Sequence, residues 1–129
     1  TFMLQKEVVE RIVAPPGTKK YGRLSVVIQA VFDTELMFIV PKESFNPQPK
    51  IESAILYLKT KSRPLVQNLK PLEEIVKLAF SQRRKTLKNC LKSVLNQSQT
   101  DIDLSQRAEM LSLDNFVTLM NDYEKQYRN

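Results

Sequence analysis

Apolar side chains recur at helical spacing in two segments near the start of the chain. Residues 5–13 (QKEVVERIV) carry them on one side, which predicts a helix that the Pro-Pro-Gly sequence at 15–17 ends. Residues 23–32 (RLSVVIQAVF) repeat the pattern and predict a second helix despite their β-branched side chains. The opening residues, 1–4 (TFML), are mostly apolar, which indicates the end of a buried strand whose sheet partners lie elsewhere, as in a fragment.

Two further apolar segments are typical of strands. Residues 34–40 (TELMFIV) form a short continuous run, which predicts a strand buried on both faces. Residues 51–60 (IESAILYLKT) predict a second strand, and the proline-containing connection between the two favours an antiparallel pair. The segment 61–70 has little periodicity and predicts a linker. The fold class is therefore mixed α/β, with a small α/β portion at 1–60.

The chain after the linker, residues 71–129, is predicted to be all helical. One apolar stripe begins at Leu72 and another at Leu87, with a turn-rich break near residues 96–103. A short helix is predicted at 104–110, and Ser112 is predicted to cap the last helix. A small helical domain would thus follow the α/β portion.

Composition excludes several classes of chemistry. The 129 residues contain no histidine, which excludes His-based acid–base catalysis, Ser-His and Cys-His nucleophiles and most zinc sites. With only two glycines there is no Gly-rich phosphate loop. The single cysteine, Cys90, excludes a disulfide framework and favours a reducing, cytoplasmic setting. No segment predicts a membrane span, a signal peptide or a metal site.

Positive charge is concentrated in one part of the chain. Residues 61–95 hold nine Lys or Arg against two acidic residues, whereas residues 96–129 hold three against six. Arg83 and Arg84 are predicted at a junction between helices, where free backbone N–H groups would also suit phosphate. The remaining lysines of the cluster are predicted on one flank of the next helix: Lys85, Lys88 and Lys92. A solvated helix face is the alternative, but a polyanion partner is favoured because no acidic residue lies between Lys77 and Lys92.

Weaker candidates for the same partner lie elsewhere in the sequence. The loop GTKKYGR (17–23) is basic and contains a tyrosine; an ordinary surface loop is the alternative. Arg107 stands in an acidic region, where a salt bridge with Glu109 or with a neighbouring helix is the favoured alternative to a binding role. The basic residues concerned, together with the lysine that ends the proline-spaced loop, are Lys19, Lys20, Arg23, Lys50 and Arg107.

One aromatic residue, Phe45, stands in the loop ESFNPQPK. Pro47 and Pro49 stiffen this segment and push the residues before them into extended conformations. A segment of this rigidity could present Phe45 as a stacking surface for a nucleobase that has flipped out of its helix. The alternative is that Phe45 folds back into the core, and the residues alone favour that alternative.

Four segments, in this order, resemble one family over nearly the whole chain. They are FMLQKEVVERIVAPPGTKKYGRLSV, ESFNPQPKIESAI, FSQRRKTLKNCL and RAEMLSLDNFVTLMN. They are similar to the C-terminal half of the ribosomal RNA small-subunit adenine-N6,N6-dimethyltransferases, with a weaker likeness to the erythromycin-resistance rRNA methyltransferases. The resemblance implies the C-terminal part of a Rossmann-like methyltransferase sheet at 1–60, a linker at 61–70 and a helical rRNA-binding domain at 71–129.

The resemblance also implies a function. Members of this family use S-adenosylmethionine to dimethylate two adjacent adenines near the 3′ end of small-subunit rRNA, late in the assembly of the subunit. In the family the aromatic that matches Phe45 helps to stack the flipped adenine, which reverses the preference for a core role. The cluster that matches Arg83, Arg84 and Lys85 is implied to bind rRNA, and Lys19, Lys20, Arg23 and Arg107 are weaker candidates for the same surface.

The sequence departs from the family pattern in one respect. The Gly-rich cofactor loop, the acidic ribose ligand and the Asn-[Leu/Ile]-Pro-Tyr motif belong upstream of Thr1 and do not occur here. No catalytic or cofactor-binding residue is therefore assigned, and the chain alone is predicted to be inactive and to bind no cofactor. Two competing hypotheses are a stand-alone basic RNA-binding module and a protein-interaction domain that uses the acidic last third.

Overall fold

The computed structural model describes residues 1–127, a mixed α/β arrangement of three strands and five helices. The strands are β1 (Phe2–Gln5), β2 (Phe32–Val40) and β3 (Ser53–Thr60); the helices are α1 (Lys6–Val13), α2 (Arg23–Gln29), α3 (Leu69–Ala79), α4 (Leu87–Cys90) and α5 (Leu113–Tyr127). Short 3₁₀ turns occur at Lys42–Ser44, Gln97–Gln99 and Ala108–Met110. Within the described residues no helix is both long and apolar enough to cross a membrane.

The three strands form one antiparallel sheet with β3 in the centre, in the order β1-β3-β2. This confirms the predicted pairing of the second and third strands. The expectation that the sheet partners of the opening strand lie elsewhere was wrong on one side of the strand, because Phe2 pairs with Leu56 and Leu4 with Ala54, and β1 forms an edge of the described sheet. The first helix accordingly begins at Lys6, since β1 takes up the residues before it.

Only one face of the sheet is covered by the described residues. Val9 and Ile12 of α1 pack against Ala54 and Leu56 of β3, and all four side chains are buried. The other face holds Met3, Phe38 and Tyr57, which remain 54%, 57% and 39% exposed. The prediction that residues 34–40 are buried on both faces was therefore wrong, because a continuous apolar run indicates a strand without saying what covers it.

The larger core joins residues from both sides of the segment 61–70. It contains buried side chains of residues 14–30 as well as side chains from α3, α4 and α5. Three aromatic rings lie near its centre: Phe80 and Phe116 are stacked with centroids 5.7 Å apart, and the edge of Tyr21 meets Phe80 at 6.1 Å. The division of the chain into domains at 61–70 stays a prediction.

The ends of the helices follow local signals where those signals are strong. The hydroxyl of Ser112 accepts a hydrogen bond from the backbone N–H of Asn115 (3.2 Å), which confirms the predicted cap of α5. The second predicted helix ends at Gln29 rather than continuing to residue 32, since Phe32 already belongs to β2. The short helix predicted at 104–110 does not form; this segment contains only a 3₁₀ turn at Ala108–Met110.

Candidate nucleic-acid interface

A row of cationic side chains follows the end of α3 and runs along α4 and the turn after it. Leu87 and Leu91 are fully buried, so the lysines that follow each of them point to solvent. Thr86 caps α4 by accepting from the N–H of Asn89 (3.4 Å) and so fixes where the turn ends. We call the exposed residues of this row the basic strip: Arg84, Lys85, Lys88 and Lys92.

The side chains of the basic strip are not paired with carboxylates of the described residues. Among residues 1–127 none of its four side chains forms a hydrogen bond or an ion pair, and no carboxylate lies nearby in sequence. Like charges brought together without carboxylates raise the local positive potential and favour a polyanion at the surface. Four exposed cations in a row are the kind of surface that suits a partner carrying phosphates.

Arg83 differs from its neighbours because it is held by the fold. Its guanidinium donates to the backbone carbonyls of Lys19 and, at 3.3 Å, Tyr21, and it lies 3.7 Å from the carboxylate of Glu109. The predicted alternative of a salt bridge between Arg107 and Glu109 was wrong, since Glu109 pairs with Arg83. Arg107 is exposed and its side chain has no partner within residues 1–127.

We expect Arg83→Ala to lower the free energy of unfolding by about 1–2 kcal/mol, because it removes the link between the turn after α3, the loop before α2 and the 3₁₀ turn at Glu109. Arg84→Ala removes the same charge from the adjacent, exposed position. It should change the free energy of unfolding by less than about 0.5 kcal/mol. Urea denaturation of the two variants measures this difference. Equal losses would contradict the structural role of Arg83.

The start of α4 does not offer free N–H groups for phosphate. The N–H of Leu87 donates to the carbonyl of Gln106 (2.9 Å), and that of Lys88 donates to the carbonyl of Leu104 (2.8 Å). The N–H groups of Asn89 and Cys90 both donate to the carbonyl of Thr86. The prediction of a backbone anion site at this junction was therefore wrong, because the segment 104–106 folds back onto the helix start. Its positive potential comes from side chains.

The basic loop 17–23 lies against the turn after α3, to which Arg83 connects it. Lys19 is exposed, and among the described residues its side chain has no partner, whereas its backbone carbonyl accepts a hydrogen bond from Arg83. Lys20 forms an ion pair with Glu10 (2.8 Å), and this hydrogen bond lowers the pKa of the Glu10 carboxyl below its usual value. Arg23, the first residue of α2, is exposed without a side-chain partner among the described residues. Two segments that are distant in sequence are thus brought together.

Phe45 lies on the connection between β2 and β3. It follows the 3₁₀ turn Lys42–Ser44, and its N–H donates to the carbonyl of Lys42 (3.3 Å). One residue further on, the peptide bond Asn46–Pro47 is cis. The side chain is half-buried and belongs to neither of the two core clusters. Lys50 is exposed further along the same loop. A stacking role for Phe45 stays a prediction.

The position of Arg11 is not apparent from the sequence. This residue of α1 lines an open cavity of about 300 Å³ together with Lys20, Arg23 and Arg83. Its position four residues after Glu7 indicates an ordinary helix ion pair, which also forms (3.1 Å). No pattern in the sequence shows that α1 and the turn after α3 meet. Within residues 1–127 no cluster of Cys, Asp and Glu side chains is placed to hold a metal ion.

Several known proteins are similar to this chain in sequence. The family model for ribosomal RNA adenine dimethylase matches residues 1–125. The ribosomal RNA small subunit methyltransferase A of Francisella tularensis subsp. novicida (strain U112) is 54% identical over 126 residues, which cover 93% of this chain and 48% of that protein. Its namesake in F. tularensis subsp. tularensis (strain FSC 198) is 53% identical with the same coverage.

Two solved structures share the fold. A dimethyladenosine transferase from Plasmodium falciparum matches with a TM-score of 0.81 at 22% identity and covers 96% of this chain and 56% of that one. The 23S rRNA methyltransferase ErmE matches with a TM-score of 0.66 at 19% identity, with coverages of 95% and 53%. The chain spans about half the length of the curated relatives it matches. Since the family model matches almost all of its residues, the chain belongs to the ribosomal RNA adenine dimethylase family.

Proposed function

We propose that this chain is the rRNA-docking and target-recognition part of an S-adenosylmethionine-dependent rRNA adenine dimethyltransferase. The observation that carries the proposal is the basic strip, whose four cations have no carboxylate partner among residues 1–127, in a chain of this family. The substrate is the small-subunit rRNA in the assembling subunit, where two adjacent adenines near the 3′ end receive methyl groups at N6. The Francisella relatives are small-subunit rRNA methyltransferases, which supports the small subunit as the target.

The parts of the chain take different roles in this proposal. Residues 1–60 complete a Rossmann-like methyltransferase sheet, and Phe45 on its β2–β3 connection stacks against the target base. Residues 71–129 form the helical rRNA-binding domain. Lys50, Arg107 and the loop with Lys19 extend the surface. The intact protein acts in the cytoplasm with S-adenosylmethionine, while this chain alone holds no cofactor and transfers no methyl group.

The experiment is a salt series of binding to small-subunit rRNA with the full 129-residue chain. Changing Arg84, Lys85 and Lys88 to Gln should weaken binding at low salt and reduce the slope of log affinity against log salt by about 2–3. The slope reports how many phosphates the protein neutralises. A structural defect would lower the affinity without a reduction of the slope by the number of charges removed. The same mixtures with labelled S-adenosylmethionine should show no methyl transfer.

A matched control carries the same loss of charge elsewhere on the surface. Lys59, Arg63 and Lys70 are exposed and have no side-chain ion pair among residues 1–127, and changing them to Gln should leave the slope unchanged. If both triple variants reduced the slope equally, binding would follow net charge alone. The basic strip would then be a solvated surface and the proposal would fail.

A further inference from the structure

Strand β2 forms one edge of the sheet. Among residues 1–127 it pairs only with β3, so the backbone N–H and C=O groups on its outer side face no other strand. β2 runs over nine residues, from Phe32 to Val40, whereas β1 at the opposite edge has four. A long edge strand is a template on which a strand of another chain can pair.

The middle of β2 is apolar and exposed. Met37, Phe38 and Ile39 are 48%, 57% and 41% exposed, although consecutive side chains of a regular strand alternate between its faces. The register against β3 shifts between Leu36 and Phe38, which marks a bulge at Met37. Apart from this bulge, the segment 36–40 has none of the lysines or prolines with which edge strands usually prevent pairing.

The charges on the two sides of this apolar segment are opposite. Glu35 precedes it, and Lys42 follows it at the start of the 3₁₀ turn. Neither side chain has an ion-pair partner among residues 1–127. If a second copy paired with β2 in the antiparallel direction, Glu35 of each copy would lie beside Lys42 of the other. Parallel pairing would instead place like charges together, which is unfavourable.

We propose that β2 is a dimerisation edge, at which two copies of this chain pair their β2 strands antiparallel about a two-fold axis near Phe38. The pairing joins two three-stranded sheets into one continuous sheet. Because both copies use the same surface, the contact closes after two copies and does not continue into a fibre. A contact of one strand per copy is small, so the dimer is weak and forms only as the protein concentration rises.

The first experiment is sedimentation equilibrium of the full 129-residue chain at concentrations up to the millimolar range. The mean mass should rise from that of one chain towards that of two and stop there. Ile39→Lys should weaken the dimer about tenfold or more, because it places a charge within the apolar edge. Met110→Lys changes an apolar residue outside the sheet that is 58% exposed, and it should leave the dimer unchanged.

Three outcomes of this experiment would overturn the proposal. They are the mass of a single chain at every concentration, a mass that grows beyond two chains, and an equal effect of Ile39→Lys and Met110→Lys. Urea denaturation of both variants shows whether each of them folds.

Charge reversal tests the antiparallel arrangement and leaves the apolar segment intact. Glu35→Lys or Lys42→Glu alone places like charges together at both contacts, and each should weaken its own dimer about tenfold. In an equimolar mixture of these two variants, a mixed dimer has opposite charges at both contacts and should recover the affinity of the parent chain. This recovery also shows that both variants are folded. A mixture that associates no better than either variant alone would contradict the antiparallel pairing of β2.

Discussion

Phe116→Ala is expected to lower the free energy of unfolding by about 3–5 kcal/mol, the largest effect of any single change considered for this chain. Phe116 is 0% exposed and lies between Phe80, stacked at 5.7 Å, and Tyr21 at 6.5 Å. Truncation removes the buried ring and leaves a cavity that the two remaining rings, Tyr21 and Phe80, cannot fill. Since domains are stable by about 5–15 kcal/mol, a large part of the total would be lost.

Urea denaturation measures this loss, with Asn121→Ala as the matched control on the same helix. Asn121 is exposed on α5, and its truncation should change the unfolding free energy by less than about 0.5 kcal/mol. The dependence on urea should keep its slope in both variants if the fold is retained. A loss below about 1 kcal/mol for Phe116→Ala would show that the aromatic rings do not form the centre of the core.

Alkaline pH should destabilise the chain through Tyr21. Its side chain is buried, its hydroxyl donates to the carbonyl of Leu111 (2.8 Å), and burial raises the pKa of the phenol above its ordinary value of 10.0. Above about pH 10 the unfolded chain loses this proton while the folded chain keeps it, so stability is complete below that pH and falls as the pH rises. The slope approaches about 1.4 kcal/mol per pH unit for one proton.

Tyr21→Phe removes this contribution and separates it from the titration of other groups. At neutral pH the variant should lose about 1–3 kcal/mol, because the carbonyl of Leu111 is left unpaired in the core. Above pH 10 its stability should fall less steeply than that of the parent chain. Tyr123→Phe should flatten the curve to a smaller extent, since burial also raises the pKa of Tyr123 but its side chain is only partly buried. Parallel curves for the parent chain and Tyr21→Phe would contradict the assignment.

The sequence patterns predicted the helices and strands better than they predicted how these elements pack against one another. The apolar stripe of α3 and the cap at Ser112 are local signals, and both elements form where they were expected. The exposure of Phe38 was not predictable, because it depends on what packs against the sheet rather than on the strand itself. Helix periodicity also could not show that α4 would be so short.

The same limit applies to the candidate interface. That Lys88 is exposed follows from the burial of Leu87, which the sequence pattern indicated. That Arg83 instead bonds to the carbonyls of Lys19 and Tyr21 depends on a contact between residues more than sixty positions apart, which no local pattern encodes. Binding roles for the cations and for Phe45 stay predictions until they are measured.

Helix α2 contributes to both cores, because Val26 is buried in the larger one while Ile28 packs against the smaller one, formed by side chains of α1 and β3. Pulling the helical portion away from the sheet would expose these side chains to water at a substantial free-energy cost. The basic strip and the loop that carries Phe45 are therefore held at a fixed distance from each other. On the proposed function, the protein would choose its adenines by their distance from the docked helix of the rRNA, and the surrounding base sequence would matter less.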